Sequence, residues 1–532
     1  MEEFPNAIKE NSNYELTQLS QDRIDFKLSL RKKKFNDILI KKRIFPSKPE
    51  ESPWTLELFL SNLKLPDEYK KQFTDEEELI LVAKGFLKSE KILEVKYGIC
   101  LIKQYMANYQ NDKENINFKL NLNFISDLFY LLEKWGEKKE KQILFNMLYI
   151  MTNYSYINLN KLLSKMLLSS KGYKIWELCF DFQDYEIMSQ LVWILGNITY
   201  RDEQSSYNLL KSNFFKNKIL NFYSNSTIIN HLNESNGNNI FYIILERGLS
   251  LFNNLLSIEC LNISDKEEKY KLSISIFNLL LKYSESNSHN IYYLCIYSIS
   301  NSIISEIRLT NLIDKSNLMN GILNKKFFSD EELIIYNNKI IGQYTSYKSN
   351  LPQDYYDKCV NYEMDALFKI KLLKGQIELF WVLTNILHDN RSSSENIIQN
   401  EPFIDKALDI YKNVNNFNNN IYNMSNFFYT LVQNSNLNCC LILDQKGIVN
   451  IILGHLKNQF KESKQIKILF DLIYFFLDSG DLLEKNMIAK NIFKEKCDNF
   501  GLIHILQNYE NSGDNDLDFS IYNIINNYYK NE

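Results

Sequence analysis

Apolar residues recur along most of the chain with the period of an α-helix, and one kind of helix recurs with them. In this helix an apolar stretch contains an aromatic residue, and Asn or Gln stands four positions later. The two clearest copies are QLVWILGNIT, with Trp193 and Asn197, and IELFWVLTNIL, with Trp381 and Asn385. The pattern predicts helices that bury one face and carry a repeated polar residue on another.

Weaker copies extend this pattern into an internal repeat. Their paired positions are Tyr149 and Asn153, Ser250 and Asn254, Tyr297 and Asn301, Lys339 and Gln343, and Tyr429 and Gln433. Successive Asn or Gln positions lie 44, 57, 47, 42, 42 and 48 residues apart. These spacings are close to the ~40–47 residues of armadillo or HEAT units, and an insertion around residues 230–239 accounts for the longest. The chain is therefore predicted to be a helical solenoid.

The repeated pair suggests a binding surface. Residues i and i+4 lie above one another on a helix, and equivalent helices of a solenoid line one surface. Because a core does not tolerate unpaired polar groups, we expect the repeated Asn on that surface, where its amide can pair with an extended peptide backbone. Neighbouring aromatic rings would form slots for Lys or Arg stems. The alternative is that the Trp residues belong to the core and each Asn is merely exposed.

The amino-acid composition limits which fold class and which cellular compartment are expected. The 532 residues are 45% hydrophobic and include only 15 Gly and 7 Pro, which favours an all-α fold. The eight cysteines form no C-x-x-C pair, which suggests a reduced intracellular compartment. The N-terminus has no apolar leader and no stretch of 18 uncharged apolar residues occurs. We expect a soluble protein that is neither secreted nor membrane-spanning.

Charge separates an N-terminal arm from the body. Residues 23–43 hold nine Lys or Arg and two Asp, a charge of +7, so the net charge of −4 leaves −11 for the rest. We expect residues 1–50 to form a basic segment with its linker and residues 70–532 to form the solenoid. A basic arm can fold back on an acidic body or engage an acidic partner. Direct nucleic-acid binding by the body is not expected.

Three stretches resemble the importin α family. RIDFKLSLRKKKFNDILIKKRIF, from Arg23, resembles its importin-β-binding segment without a gap. QLVWILGNIT resembles its third armadillo repeat, and LQNYEN followed by FSIYNIINNYY resembles its final repeat. The resemblance implies a right-handed armadillo superhelix of about ten repeats with a basic N-terminal arm.

The resemblance also implies sites. A major site for basic localisation signals would contain Tyr149, Asn153, Gln190, Trp193, Asn197 and Asn254. A minor site would contain Gln343, Glu378, Trp381, Asn385, Tyr429 and Gln433. Carrier binding and autoinhibition would use Arg23, Lys27, Arg31, Lys32, Lys33, Lys34, Lys41, Lys42 and Arg43, the last three mimicking cargo.

The chain departs from the family in the major site. The family has Trp where this chain has Tyr149 and Ser250, and an acidic residue where it has Arg201, beside Asp202. A cation at that position would repel a lysine. We therefore expect an eroded major site and a minor site that dominates.

These observations predict a shuttling adaptor of cytoplasm and nucleus. It would link cargo proteins with basic localisation signals to an importin-β-type carrier, and the resemblance raises an export factor as a further partner. The alternative is an armadillo scaffold that has lost signal binding. No Walker-type, dinucleotide-binding, zinc-protease or nucleophile-elbow motif occurs, and the five histidines are isolated, so we expect no enzyme activity, metal or cofactor.

Overall fold

The computed structural model describes a helical chain. It covers residues 76–108, 122–157, 161–225, 228, 240–258, 263–348, 351–414, 420–457, 462–487, 490–509 and 512–530. Every regular element within these ranges is a helix. The all-α prediction is thus confirmed for the described part of the chain. The basic segment from Arg23 to Arg43 lies outside the described residues.

The chain divides into two compact units, Met1–Leu309 (the N-terminal unit) and Thr310–Glu532 (the C-terminal unit). The described helices of the N-terminal unit are α1 Glu76–Leu87, α2 Ile92–Asn108, α3 Leu122–Glu137, α4 Lys141–Ile157, α5 Lys161–Leu167, α6 Ser170–Asp181, α7 Tyr185–Arg201, α8 Glu203–Lys211, α9 Asn221–Ser224, α10 Ile240–Leu256, α11 Ile263–Tyr283 and α12 His289–Ser305. A π-helical turn, Phe215–Leu220, precedes α9, and a 3-10 segment, Ile307–Lys315, follows α12.

The C-terminal unit continues with helices of similar length. They are α13 Leu318–Leu323, α14 Glu331–Tyr347, α15 Gln353–Lys369, α16 Leu373–Asp389, α17 Ser393–Gln399, α18 Glu401–Asn413, α19 Asn420–Gln433, α20 Leu437–Gln445, α21 Ile448–Lys457, α22 Ser463–Met487, α23 Ile492–Phe500, α24 Leu502–Tyr509 and α25 Asn515–Ile524. A π-helical turn, Ile525–Tyr529, ends the described chain.

Within each unit, one set of helices packs side by side in chain order, and we call these the row helices. In the N-terminal unit they are α4, α7, α10 and α12, and in the C-terminal unit α14, α16, α19, α22 and α25. Each helix predicted from the aromatic and Asn or Gln pairs is a row helix. The helices between them cover their other sides. This order is what a helical repeat requires, because each helix meets its sequence neighbours in the row.

Local sequence explains where several row helices begin. Asp184 precedes α7, and its carboxylate accepts from the backbone amides of Glu186 and Ile187 at 3.0 and 3.2 Å. Asp330 caps α14 and Asp514 caps α25 in the same way. An N-cap acceptor satisfies amides that the helix leaves unpaired, and its loss typically costs ~1 kcal/mol. The acid at each start therefore fixes the register of the row helix that follows.

Large aromatic side chains form much of the core between the row and its covering helices. In the N-terminal unit, Trp176 is buried and donates to the carbonyl of Leu167 at 2.7 Å. Tyr223 lies against Gly248, where an added Cβ would be 2.2 Å from the ring, and donates to the carbonyl of Ile244 at 2.7 Å. Each such side chain buries ~150–250 Å², which stabilises by about 4–6 kcal/mol before conformational entropy is subtracted.

No single helix of the described residues is long and apolar enough to cross a membrane, and only one bent pair, Leu437–Gln445 with Ile448–Lys457 at 69°, passes such a test jointly.

Candidate ligand-binding face

The predicted site residues lie along one strip of each row helix. Half-buried side chains recur there at positions four apart, such as Tyr149 and Asn153 on α4. Other half-buried members are Trp193, Ser250, Asn254, Gln343, Glu378, Trp381 and Tyr429, and Gln433 is exposed. We call this series the accessible strip. Its spacing follows from the helix period, because residues i and i+4 share a side.

Trp193 on α7 is covered by a cation of the neighbouring row helix. The guanidinium carbon of Arg247, on α10, lies 3.8 Å from the centroid of the indole ring. Arg247 also donates from Nη1 to the hydroxyl of Ser189 on α7 at 2.6 Å. Stacking of this kind is worth ~0.5–2 kcal/mol. The aromatic face predicted to receive a ligand cation is thus in contact with the protein's own arginine.

Tyr149 on α4 shows the same arrangement with a lysine. The ammonium of Lys103, on α2, lies 4.9 Å from the centroid of the tyrosine ring. It donates to Oδ1 of Asn146 at 3.0 Å. Burial lowers the pKa of Lys103 to about 8, because the protein interior disfavours the charged form. Two of the aromatic positions in the predicted major site therefore face internal cations.

The amides at the repeated position connect neighbouring row helices. Nδ2 of Asn197 donates to the carbonyl of Thr152 and to the hydroxyl of Ser155, both at 3.0 Å. Nδ2 of Asn254 donates to the carbonyl of Gly196 at 3.0 Å. In both cases the acceptor carbonyl belongs to the residue immediately before the repeated Asn of the preceding row helix. The amides thus set the register between adjacent helices.

The expectation that these amides lie exposed on a surface needs correction at several positions. Asn197 is 4% exposed, Asn301 is 5% exposed and Asn385 is 7% exposed. A buried amide is tolerated where it is paired, and the carbonyl of the preceding helix supplies that pairing for Asn197. Asn153 and Asn254 remain half-buried, and Nδ2 of Asn153 donates to the carbonyl of Tyr149 at 2.9 Å.

Gln190, on α7, is a buried residue of the predicted major site. Its side chain is 6% exposed, and its Oε1 accepts from the hydroxyl of Thr152 at 3.0 Å. Gln190 therefore joins α7 to α4. The side chain of Arg201 lies outside the described residues, whereas Asp202 beside it accepts from the hydroxyl of Ser205. The predicted repulsion at Arg201 stays a prediction.

In the C-terminal unit, Trp381 packs tightly against the preceding row helix. An added Cβ at Gly342 of α14 would lie 2.3 Å from Cζ3 of the indole, so the absence of a side chain there lets the ring approach. Glu378, one turn earlier on α16, is half-buried. Nδ2 of Asn385 is buried and has no hydrogen-bond partner among the described residues. An aromatic face, a carboxylate and an amide donor thus lie along one helix.

Glu363 lies on α15 and is fully buried at 0% exposure. Neither of its carboxyl oxygens has a hydrogen-bond partner among the described residues. Burial raises the pKa of this carboxyl well above its usual value, and the negative charge of Glu378 raises it further. Burial therefore favours the neutral, protonated form of Glu363 within the fold.

Tyr429, on the row helix α19, contacts the following row helix, α22. Its ring meets that of Phe475 on α22 edge to face, with centroids 6.3 Å apart. Burial raises the pKa of Tyr429 to about 12, with a further contribution from Asp471. The strip then continues at Tyr474 and Asp478 on α22, and burial together with Asp481 raises the pKa of Asp478.

Sequence reasoning missed the position on α22. Tyr474 and Asp478 have the same spacing as the other pairs, and Asp478 follows Gln433 by 45 residues. The repeat pattern has Asn or Gln at its second position, and an Asp in the same place does not match it. It also missed Arg247 and Lys103, because contacts between neighbouring helices leave no local pattern.

No group of three or more His, Cys, Asp or Glu side chains in the described part of the chain is placed to hold a metal ion. The candidate site therefore consists of aromatic faces, amides and carboxylates, with two cations of the chain already on it. Such a strip can bind a peptide by stacking and hydrogen bonding.

Comparisons with known proteins bear on the fold alone. No family model and no curated protein matches the chain. A solved structure of an engineered protein, determined by the Northeast Structural Genomics Consortium, is similar with a TM-score of 0.61 at 11% identity, and the match covers 86% of this chain and 99% of that chain. At such low identity the likeness is limited to architecture. With the row helices, it is consistent with a helical repeat.

Proposed function

We propose that the chain is a nuclear import adaptor of the importin α kind, built from armadillo repeats. It shuttles between cytoplasm and nucleus and has no enzymatic role. Its accessible strip holds basic localisation signals of cargo proteins, and the arm from Arg23 to Arg43 binds an importin-β-type carrier. The observation that carries the proposal is the aromatic residue with a polar residue four positions later, which recurs on the row helices α4, α7, α12, α16, α19 and α22.

The chemistry of the strip supports a basic peptide as ligand. Trp381 offers an indole face, and Glu378 one turn away offers a carboxylate that favours Lys or Arg. Outside residues 23–43 the chain has a net charge of −11. A basic ligand is therefore attracted to the body over several ångströms.

The first test is a titration of a fluorescein-labelled, lysine-rich signal peptide followed by anisotropy. The full chain with Lys41, Lys42 and Arg43 changed to Ala should bind in the micromolar range or tighter. The unmodified chain should bind more weakly, because its own arm competes at high effective concentration. A control peptide with every lysine changed to Glu should not bind. Absence of titratable binding by the arm variant would refute the adaptor function.

Residue-level controls locate the site. Trp381→Ala and Glu378→Gln in the arm variant should each weaken peptide binding about 2–30-fold, the range expected from loss of one cation–π contact or one partly desolvated charge pair. The exposed Glu484 gives a matched control, and Glu484→Gln should leave the affinity unchanged. Equal effects of Glu378→Gln and Glu484→Gln would move the site away from α16.

The carrier is tested separately. Immobilised full chain should retain an importin-β-type carrier, and Arg31, Lys32 and Lys34 changed together to Glu should abolish retention. Retention should also fall steeply with salt, because attraction between opposite charges is screened by ions. Reversal of three exposed lysines of the body, at positions 138, 358 and 464, is the matched control and should leave retention intact.

A second candidate is a scaffold that keeps the repeat and has lost signal binding. The observation that favours it is the pair of internal cations, Arg247 on Trp193 and Lys103 on Tyr149. The peptide titration distinguishes the two functions. A scaffold would have no affinity for the lysine-rich peptide and would bind its partners without the carrier.

A further inference from the structure

Arg247 occupies the place at which a ligand cation would meet Trp193. Its guanidinium lies at 3.8 Å from the ring centroid, and its Nη1 is held by Ser189 at 2.6 Å. The ring and the serine both belong to α7, whereas the arginine comes from α10. The arginine therefore bridges two row helices in one defined position.

A ligand lysine could reach this ring only by removing that arginine. Displacement would break the stacking contact and a charge-assisted hydrogen bond, and the half-buried guanidinium would then need new partners. An incoming side chain must also compete with a group that is tethered to the site and thus present at high effective concentration. The face of Trp193 is closed to ordinary basic peptides for this reason.

The same device occurs one row helix earlier. Lys103 lies over Tyr149 at 4.9 Å and is anchored by Asn146 at 3.0 Å. Two successive aromatic positions are thus each covered by a cation from the adjacent helix, and each cation has its own hydrogen-bond anchor.

We propose that Arg247 is a built-in cation that closes the Trp193 slot to basic signals and so determines specificity. This inference rests on the proposed function, since it concerns which aromatic positions a signal peptide uses. It predicts that removal of the cation creates a second place for lysine.

The test uses the full chain with Lys41, Lys42 and Arg43 changed to Ala and the same fluorescein-labelled lysine-rich peptide. Arg247→Ala in this background should raise the affinity about 2–30-fold, the effect of one newly available cation–π contact. Arg247→Lys is the matched control and should give less than a twofold gain, because a cation stays near the ring. Trp193→Ala combined with Arg247→Ala should remove the gain.

The outcomes separate this inference from the adaptor function. If the background binds the peptide and Arg247→Ala gives no gain, the closed slot is refuted while the adaptor stands. A gain that survives loss of Trp193, or an equal gain with Arg247→Lys, refutes it as well. If no variant binds, the adaptor function fails first and the inference fails with it.

One measurement does not depend on the folding of the arginine variants. With Arg247 in place, Trp193→Ala should change peptide affinity by less than twofold, because the ring is not used by the ligand. A several-fold weakening would show that the slot is already open to peptide and would overturn the proposal.

Discussion

The buried carboxyl of Glu363 gives a sharp prediction about pH and stability. Its side chain has no exposure and no hydrogen-bond partner among the described residues, so ionisation within the fold is opposed by desolvation and by Glu378. The unfolded chain exposes the same group to water, where a glutamate titrates near pH 4.3. Folding therefore raises the pKa of this group.

The sign of the effect follows from this rise. Below the unfolded pKa both states hold the proton, and the contribution of Glu363 to stability is complete. As the pH rises above the pKa of the unfolded chain, the glutamate of the unfolded state releases its proton. This ionisation lowers the free energy of the unfolded state relative to that of the folded state. The contribution is thus lost progressively until the pH reaches the folded pKa.

The magnitude is set by one proton. Within that window the free energy of unfolding should fall by about 1.4 kcal/mol for each pH unit on account of Glu363 alone. Two pH units inside the window amount to about 2.7 kcal/mol, which is a large fraction of the stability of an ordinary domain. Glutamine has nearly the same shape and does not ionise, so Glu363→Gln should lack this slope.

The assay is urea denaturation at pH 5, 6 and 7, followed by circular dichroism at constant ionic strength. Carboxylates that do not interact with Glu363 contribute equally to both proteins, so the difference between the wild-type and Glu363→Gln slopes reports the buried group and its coupling to Glu378. Glu484→Gln, at an exposed position of α22, should keep the wild-type slope.

Parallel slopes for the wild type and Glu363→Gln would refute the reasoning. They would mean that Glu363 is ionised in the folded state and has found a cation or water that compensates its burial. The absolute stabilities need not agree, because a buried glutamine brings its own unpaired groups.

Three further predictions concern contacts made by the row helices. Gly342→Ala should lower the free energy of unfolding by about 1–3 kcal/mol, because its Cβ would meet the Trp381 ring at 2.3 Å, and the tryptophan fluorescence should shift. Gly248→Ala should lower the melting temperature through the 2.2 Å approach to Tyr223, with a loss of similar size by urea titration. Asn197→Ala should cost about 1–3 kcal/mol because buried acceptors lose their donor, and retention of full stability in a thermal melt would contradict the linking role.

The fold was predictable because its determinants are local. Helix periodicity and the repeat spacing located α4, α7 and α16. Neither signal depends on which residues a helix contacts in the folded chain. The partition into two compact units was not predicted, because it depends on contacts that sequence spacing does not encode.

The site was predictable only in part. Helical spacing placed Tyr149 and Trp193 on the accessible strip, but it could not show what covers them. Lys103 and Arg247 lie 46 and 54 residues away from those rings in the chain, and no period relates them. The identity of a residue's cross-helix neighbour is decided by packing, so a single sequence cannot supply it.

The hydrogen bonds from the repeated Asn side chains to the preceding row helix show why a repeated polar residue is an ambiguous sign of binding. The same Asn that could hold a peptide backbone can hold the carbonyl of the preceding helix, and Asn197 and Asn254 do so at 3.0 Å. Repetition is expected in either case, because every helix–helix junction of a repeat poses the same problem. What distinguishes a ligand face is therefore the half-exposed neighbour one turn away, its charge and its covering. Trp193 illustrates the criterion, because its ring lies on the accessible strip but already faces Arg247.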